Sequence, residues 1–242
     1  MTPVELAEES LAFLDRVLME AYQNPSEKEL RRCFIYRHAR NILNLADDVL
    51  HLESLNRSSA SRIVVRPMLE SLFMLVAALK MESFAAEKVV AEIEDEIERI
   101  KKWTDIYTDG EFQDIKDETI NPLHNFAQQL REEHLVNGNK KWNVFETAKL
   151  AELNWHYAQD YFLYSKYVHS TVSGIISQEH KISRGHVLQT SIFIVVSAAA
   201  NVVQAIETVT PQGHTDEAER LIGLATELTR QGAFRDKEDG TS

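Results

Sequence analysis

Cysteine, proline and glycine are all scarce in this chain of 242 residues, and each shortage excludes a class of protein. Cys33 is the single cysteine, so the chain has neither an intrachain disulfide nor a cysteine-rich zinc site. Five prolines and eight glycines are too few for the many turns of a β-sandwich or β-barrel. The same shortage suits long helices, whose interiors both residues destabilise.

Positive charge is also in short supply, with 26 Lys and Arg against 38 Asp and Glu and a formal net charge of −12. Phosphate backbones and anionic membranes bind through clustered Lys and Arg, so we expect no general nucleic-acid binding. The N-terminal residues MTPVELAEES have neither the basic start nor the apolar core of a signal peptide. We therefore expect a cytoplasmic protein.

Long uninterrupted apolar runs are missing as well. The two most apolar segments are 63–79, which contains two charges, and 187–209, which contains several amides, hydroxyls and Glu207. A membrane-spanning helix needs about 20 mostly apolar residues. Both segments are therefore predicted to be core helices, and we expect no membrane contact.

Helix signals follow one another along the chain, without strand alternation or an internal repeat. Capping boxes and glycine or proline stops delimit about eight helices, which predicts one all-α bundle in a single domain over 1–242. Residues 108–120 are the one candidate linker, and the tail 233–242 is expected to fray. The predicted helices are 2–22, 26–55, 63–79, 84–107, 121–138, 143–169 with a break near Asn154, 187–209 and 215–232.

The segment 63–79 carries Arg66 and Glu70 among thirteen apolar residues out of seventeen. Their spacing of four places both charges on one helix face, where burial is costly unless partners meet them. The best candidate partners are Tyr161, Ser165 and His169, which are also spaced by four. The sequence therefore predicts one polar cluster built from two distant helices.

Two interpretations of this cluster remain open. It is either a buried network that fixes the register of two helices, or a small polar pocket. Such a pocket would bind an anionic or hydroxyl-bearing ligand through Arg66, or carry out acid–base chemistry with Glu70 and His169. Whether the protein is an enzyme stays open.

The segments RPMLE (66–70) and YFLYSKYVHS (161–170) resemble the motifs of an uncharacterised bacterial all-helical family, domain of unknown function 5677. That family typically has an Arg-x-x-x-Glu helix and a later Tyr-x-x-x-Ser-x-x-x-His helix. Arg66, Glu70, Tyr161, Ser165 and His169 occupy the corresponding positions. The resemblance covers roughly 57–170 and implies an all-α fold, but it carries no established activity.

A second resemblance concerns Arg32 and His38, which fit the loose Arg-x(4–6)-His pattern of HEPN-type ribonucleases from bacterial defence and toxin systems. In those metal-independent enzymes a dimer places two such motifs at a shared site. A pattern this short arises by chance in a chain with nine histidines, and the acidic net charge counts against RNA binding.

Metal and cofactor motifs are not found in the sequence. Asp47, Asp48 and His51 form at most a partial metal site, and no Glu-x-x-His, HExxH or glycine-rich phosphate loop occurs. The remaining histidines are scattered and show no paired ligand spacing: His124, His134, His156, His180, His186 and His214. We predict neither a metal nor a cofactor.

Two functional hypotheses follow. The first is a non-enzymatic binding module for a small anionic or hydroxyl-bearing ligand or a protein partner, for example in a bacterial phage-defence or stress operon. The second is a HEPN-like ribonuclease. A homo-oligomer is compatible with either hypothesis.

Overall fold

A computed structural model describes residues 1–21, 30–106, 110–136, 141–168, 184–207 and 214–234. All regular secondary structure in these ranges is helical, which confirms the prediction of an all-α bundle of about eight helices. The helices are α1 (Pro3–Ala21), α2 (Leu30–Ser54), α3 (Ser58–Lys80), α4 (Phe84–Ile106), α5 (Gly110–Glu133), α6 (Val144–Leu150), α7 (Asn154–His156), a π-helical turn (Tyr157–Tyr161), α8 (Phe162–Val168), α9 (Arg184–Glu207) and α10 (Thr215–Arg230).

The chain divides into two compact units. Unit 1 comprises Met1–Lys80 and Val144–Ser242, and unit 2 comprises Met81–Asn143. The single domain over 1–242 stays a prediction.

The most apolar helix lies at the centre of unit 1. There α9 packs against α1, α2, α3 and α10. Side chains such as Leu14, Ile42, Leu72 and Val195 are buried at these contacts. Within the described ranges one segment, Gly185–Gln204, is long and apolar enough to cross a membrane, but 67% of its most apolar window is buried inside the protein. Absence of membrane contact and a cytoplasmic location stay predictions.

Unit 2 is built from α4 and α5. Arg131 on α5 pairs with Glu94 on α4, and the Trp142 indole donates a 2.7 Å hydrogen bond to Glu87. The expected linker over 108–120, followed by a helix start at Asn121, is wrong because α5 already begins at Gly110 and contains Pro122. Glu, Gln and Lys in this stretch have good helix propensity, so the helix extends beyond the apolar pattern.

Left-handed residues end several helices of unit 1. Glu152 has φ 59°, and the Leu153 amide bonds the Ala148 carbonyl at 2.9 Å, which closes α6. This turn produces the break expected near Asn154. Gly232 (φ 69°) closes α10 in the same way and turns the chain back towards α9.

The reversed C-terminal segment packs tightly against the start of α9. Phe234 is buried, although the frayed tail was expected from residue 233; residues 235–242 lie outside the described ranges. A Cβ atom on Gly185 would lie 1.6 Å from the Phe234 carbonyl oxygen. Only glycine at position 185 permits this approach.

The π-helical turn between α7 and α8 is the feature that positions the site. The Phe162 amide bonds the Tyr157 carbonyl five residues back, where an α-helix would use the carbonyl four residues back. Such a turn holds one extra residue, so it changes which side chains face each neighbouring helix. Asp160 and Tyr161 are both buried at its end.

Candidate functional site

Arg66, Glu70 and Tyr161 form a closed triangle of hydrogen bonds. Within α3, Arg66 Nε donates to Glu70 Oε1 at 3.1 Å. Tyr161 Oη, from the π turn, donates to the same Glu70 oxygen at 2.9 Å and accepts from Arg66 Nη2 at 3.0 Å. The guanidinium carbon also lies 5.2 Å from the centre of the Tyr161 ring. The structure therefore brings together three of the five side chains that the sequence singled out.

The triangle is partly shielded from solvent. The side chains of Arg66 and Glu70 are 20% and 34% exposed, and Tyr161 is buried. Burial raises the pKa of the Tyr161 phenol, the hydrogen bond to Glu70 raises it further, and Arg66 opposes both effects. The phenol is thus held protonated, as its role of donor to the carboxylate requires.

The other two residues of the predicted cluster do not join the triangle. Ser165 Oγ is buried on α8 and has no hydrogen-bond partner within the described part of the chain. Glu70 accepts from Arg66 and Tyr161, and no bond from Ser165 to this carboxylate occurs among the described residues. His169 lies outside the described residues.

A cavity of about 600 Å³ lies in unit 1 between α7, the π turn, α9 and α10. Its apolar lining includes Ile192, Phe193, Val196, Ile222, Ala225 and Phe234. Its polar lining includes Gln159, Gln189, Thr190, Ser197, Thr226 and Thr229. Trp155, which is largely exposed, also lines it.

Asp160 contacts two histidines that also line this cavity. His156 Nδ1 lies 2.8 Å from Asp160 Oδ2, and His186 Nε2 lies 3.5 Å from Asp160 Oδ1, which is long for a hydrogen bond. Burial alone would raise the pKa of Asp160, but the hydrogen bonds and charges of His156 and His186 outweigh it and lower the pKa. Asp160 is therefore a carboxylate over the whole neutral range.

The ring orientation of His156 is fixed on two sides. The imidazole stacks on Phe193 with ring centres 4.0 Å apart. Because a carboxylate only accepts hydrogen bonds, the contact with Asp160 requires a hydrogen on Nδ1. In the neutral imidazole Nε2 then carries a lone pair. A carboxylate that orients a histidine in this way is a common arrangement in ligand and catalytic sites.

A model of the family of unknown function DUF5677 matches residues 32–184. The chain belongs to this family. The match confirms the resemblance drawn from RPMLE and YFLYSKYVHS, and it extends beyond 57–170 at both ends. No curated protein and no solved structure matches the chain.

In this DUF5677 chain the histidines of the cavity were overlooked by sequence reasoning. His156 and His186 were counted among scattered residues, yet both contact Asp160. The spacing of four between His156 and Asp160 is visible in the sequence, whereas His186 reaches the carboxylate only through tertiary packing. No group of three or more His, Cys, Asp or Glu side chains in the described ranges is arranged to hold a metal ion.

Arg32 and His38 both lie on α2 and form a basic cluster with Arg31, Arg37 and Arg40 of the same helix. Arg32 is exposed, and the His38 ring lies 4.5 Å from that of Phe34. Two neighbouring arginines have structural partners. Arg31 donates to the Ala78 and Leu79 carbonyls at the end of α3, at 2.7 and 2.6 Å, and Arg40 pairs with an aspartate of α1. The cluster is therefore in part a helix-packing device.

Proposed function

We propose that this protein is a small-molecule-binding module and that its ligand occupies the cavity beside the π turn. The observation that carries the proposal is the cavity itself, whose lining combines apolar side chains with polar groups. Its volume of about 600 Å³ lies within the range of pockets that bind small ligands, about 300–1,000 Å³. Its ligand therefore has an apolar body and one hydrogen-bonding head group.

The π turn links this cavity to the triangle of Arg66, Glu70 and Tyr161. Consecutive residues of the turn serve the two sites, because Asp160 lines the cavity and Tyr161 bonds Arg66 and Glu70. In this proposal the triangle holds the turn on α3 and so positions Asp160. The binding function predicted from the sequence is kept, and its location moves from the triangle to the adjacent cavity.

The wider predictions stay predictions. They include bacterial origin, a role in phage defence, a protein partner and self-association. The HEPN-like ribonuclease stays an alternative hypothesis, in which Arg32 and His38 on α2 would be the catalytic pair.

Calorimetric titration with 2-(1-naphthyl)ethanol tests the binding function, because this probe has a bicyclic apolar body and a neutral hydroxyl. We expect saturable binding at one site per chain. The double variant Ser197→Phe/Ala225→Trp places two large side chains in the cavity from α9 and α10, and it should abolish binding. Gly223→Trp is the matched control on α10, because the space around Gly223 is open.

Two outcomes contradict the binding function. One is a wild-type protein that shows no saturable binding. The other is a filled variant that keeps its fold, by circular dichroism, and binds the probe as the wild type does.

A further inference from the structure

We propose that the ligand of this cavity is an organic cation, a protonated amine carried on an aromatic or other apolar body. The inference rests on the proposed function and deepens it. Its basis is that a carboxylate and several oxygen and nitrogen lone pairs line a cavity that is otherwise largely apolar.

With His156 and His186 in their neutral forms, the formal charge of the cavity is negative. Among the described residues that line it, Asp160 is the only acidic side chain, and none is lysine or arginine. The chain as a whole carries a formal net charge of −12, which attracts cations over distance and repels anions. Both Asp160 and the net charge of the chain would repel a carboxylate ligand.

Three hydroxyl and amide donors of the lining are already used within the protein. Thr226 Oγ1 donates to the Ile222 carbonyl at 2.8 Å, and Thr229 Oγ1 donates to the Ala225 carbonyl at 2.9 Å. Gln189 Nε2 donates to Thr229 Oγ1 at 3.2 Å. What these groups retain for a ligand is mainly oxygen lone pairs, which accept hydrogen bonds.

The oriented imidazole adds another acceptor. With its Nδ1 hydrogen directed at Asp160, a neutral His156 offers the lone pair of Nε2. Acceptors of this kind offer no hydrogen bond to an anionic head group, and a buried polar group without partners is costly. A protonated amine supplies up to three N–H donors and a full positive charge to the Asp160 carboxylate, whose partners within the protein are His156 and His186.

Aromatic rings complete the match to an organic cation. Trp155, Phe193 and Phe234 line the same cavity, and Trp155 is 66% exposed, which places it at the rim. Aromatic faces attract ammonium groups and also pack against flat apolar bodies. The cavity therefore suits both the ammonium group and the aromatic body of an arylalkylamine.

Three probes with one apolar body separate the head-group chemistries. They are 2-(1-naphthyl)ethylamine, 2-(1-naphthyl)ethanol and 1-naphthylacetate, each titrated into the full chain at pH 7.5 by calorimetry. We expect the amine to bind about tenfold more tightly than the alcohol, since a charge-assisted hydrogen bond is roughly twice as strong as a neutral one. The acetate should bind more weakly than the alcohol.

Asp160→Asn should reduce the ratio of amine affinity to alcohol affinity from about tenfold to about one, because the charged contact is lost. Asp48→Asn, at an exposed position on α2, makes the same charge change and should alter neither affinity. Should Asp160→Asn fail to fold, the order of the three affinities in the wild type decides alone.

Several results would overturn the cationic ligand while leaving the binding function intact. They are equal affinity for amine and alcohol, tightest binding of the acetate, or an amine preference that survives in a folded Asp160→Asn variant. Absence of binding by all three probes would overturn both proposals.

Discussion

Tyr161 Oη donates a 2.9 Å hydrogen bond to Glu70 Oε1 and so ties the π turn to α3. The same oxygen accepts from Arg66 Nη2, which means that one phenol serves both members of an ion pair. An isolated pair spaced by four on a half-exposed helix face contributes little. The phenol converts it into a contact between distant parts of unit 1.

Removing that phenol oxygen tests the structural role of the triangle. We expect Tyr161→Phe to lower the free energy of unfolding by about 1–2 kcal/mol, because Glu70 and Arg66 each lose a partner. Glu70→Gln combined with Tyr161→Phe should give less than the sum of the two single effects, by about 0.5–1.5 kcal/mol. Urea denaturation followed by circular dichroism measures all three.

Tyr157 provides the matched control for this substitution. Its ring stacks on that of Tyr161 with centres 5.1 Å apart, and its hydroxyl forms no hydrogen bond with the described residues. Tyr157→Phe should therefore leave stability within about 0.5 kcal/mol. If Tyr157→Phe and Tyr161→Phe change the free energy of unfolding equally, the hydrogen bonds of the triangle do not stabilise the fold.

Acidification tests the carboxylate of the cavity. The pKa of Asp160 is lowered below its ordinary value of 3.8, so its ionised form stabilises the fold above that pH, and this contribution is lost as the pH falls through the lowered pKa. The stability gap between the wild type and Asp160→Asn should therefore be larger at pH 5 than at pH 3. A gap that grows on acidification below pH 4 contradicts the sign, and Asp48→Asn is the control.

Two helical glycines should respond in opposite directions to alanine. Gly185→Ala forces the Phe234 backbone away from α9, and we expect a loss of about 2–3 kcal/mol as that side chain leaves the core. Gly223→Ala adds a methyl group in open space and should stabilise α10 by about 0.5–1 kcal/mol. Thermal unfolding measures both, and changes of the same sign would show that Phe234 is not packed against Gly185.

Adjacent arginines on α2 form another matched pair. Arg31→Ala removes two hydrogen bonds to carbonyls at the end of α3 and should cost about 1–3 kcal/mol. Arg32→Ala, at an exposed position, should stay within about 0.5 kcal/mol of the wild type. A comparable loss from Arg32→Ala would contradict the helix-packing role of the basic cluster.

RNA cleavage is tested on the same helix. If the match to the ribonuclease pattern is a coincidence, Arg32→Ala and His38→Ala should leave any degradation of a labelled RNA by the purified protein unchanged. Wild-type cleavage that both variants abolish, while their melting temperatures stay unchanged, would establish the ribonuclease instead.

Local rules were sufficient where one residue decides the outcome. The capping box at Thr2 and Pro3 sets the start of α1, and Glu5 and Thr2 exchange backbone–side-chain hydrogen bonds there as expected. Arg66 and Glu70 required a partner because they lie on an apolar helix, and Tyr161 is that partner. In these cases one segment of the sequence is enough to show that a polar group needs a partner, because an unsatisfied polar group is costly.

Other contacts between two segments could not be predicted from either segment alone. The contact of His186 with Asp160 exists only because α9 packs beside the π turn, and the approach of Phe234 to Gly185 only because Gly232 reverses the chain. The π turn itself leaves no residue signature, since any side chain tolerates its backbone angles. Consequently the triangle was predictable in large part, whereas the cavity was not.

The extra residue in the turn at Tyr157–Tyr161 makes chain length itself a determinant of this protein. A π turn holds one residue more than the corresponding α-turn, so deleting Gln159 would let this stretch close as a regular α-helix and would shorten the spacing between His156 and Asp160 from four residues to three. The contact of His156 with Asp160 would then be lost although both side chains were still present. In this turn of the DUF5677 chain the number of residues therefore matters more than which residues they are.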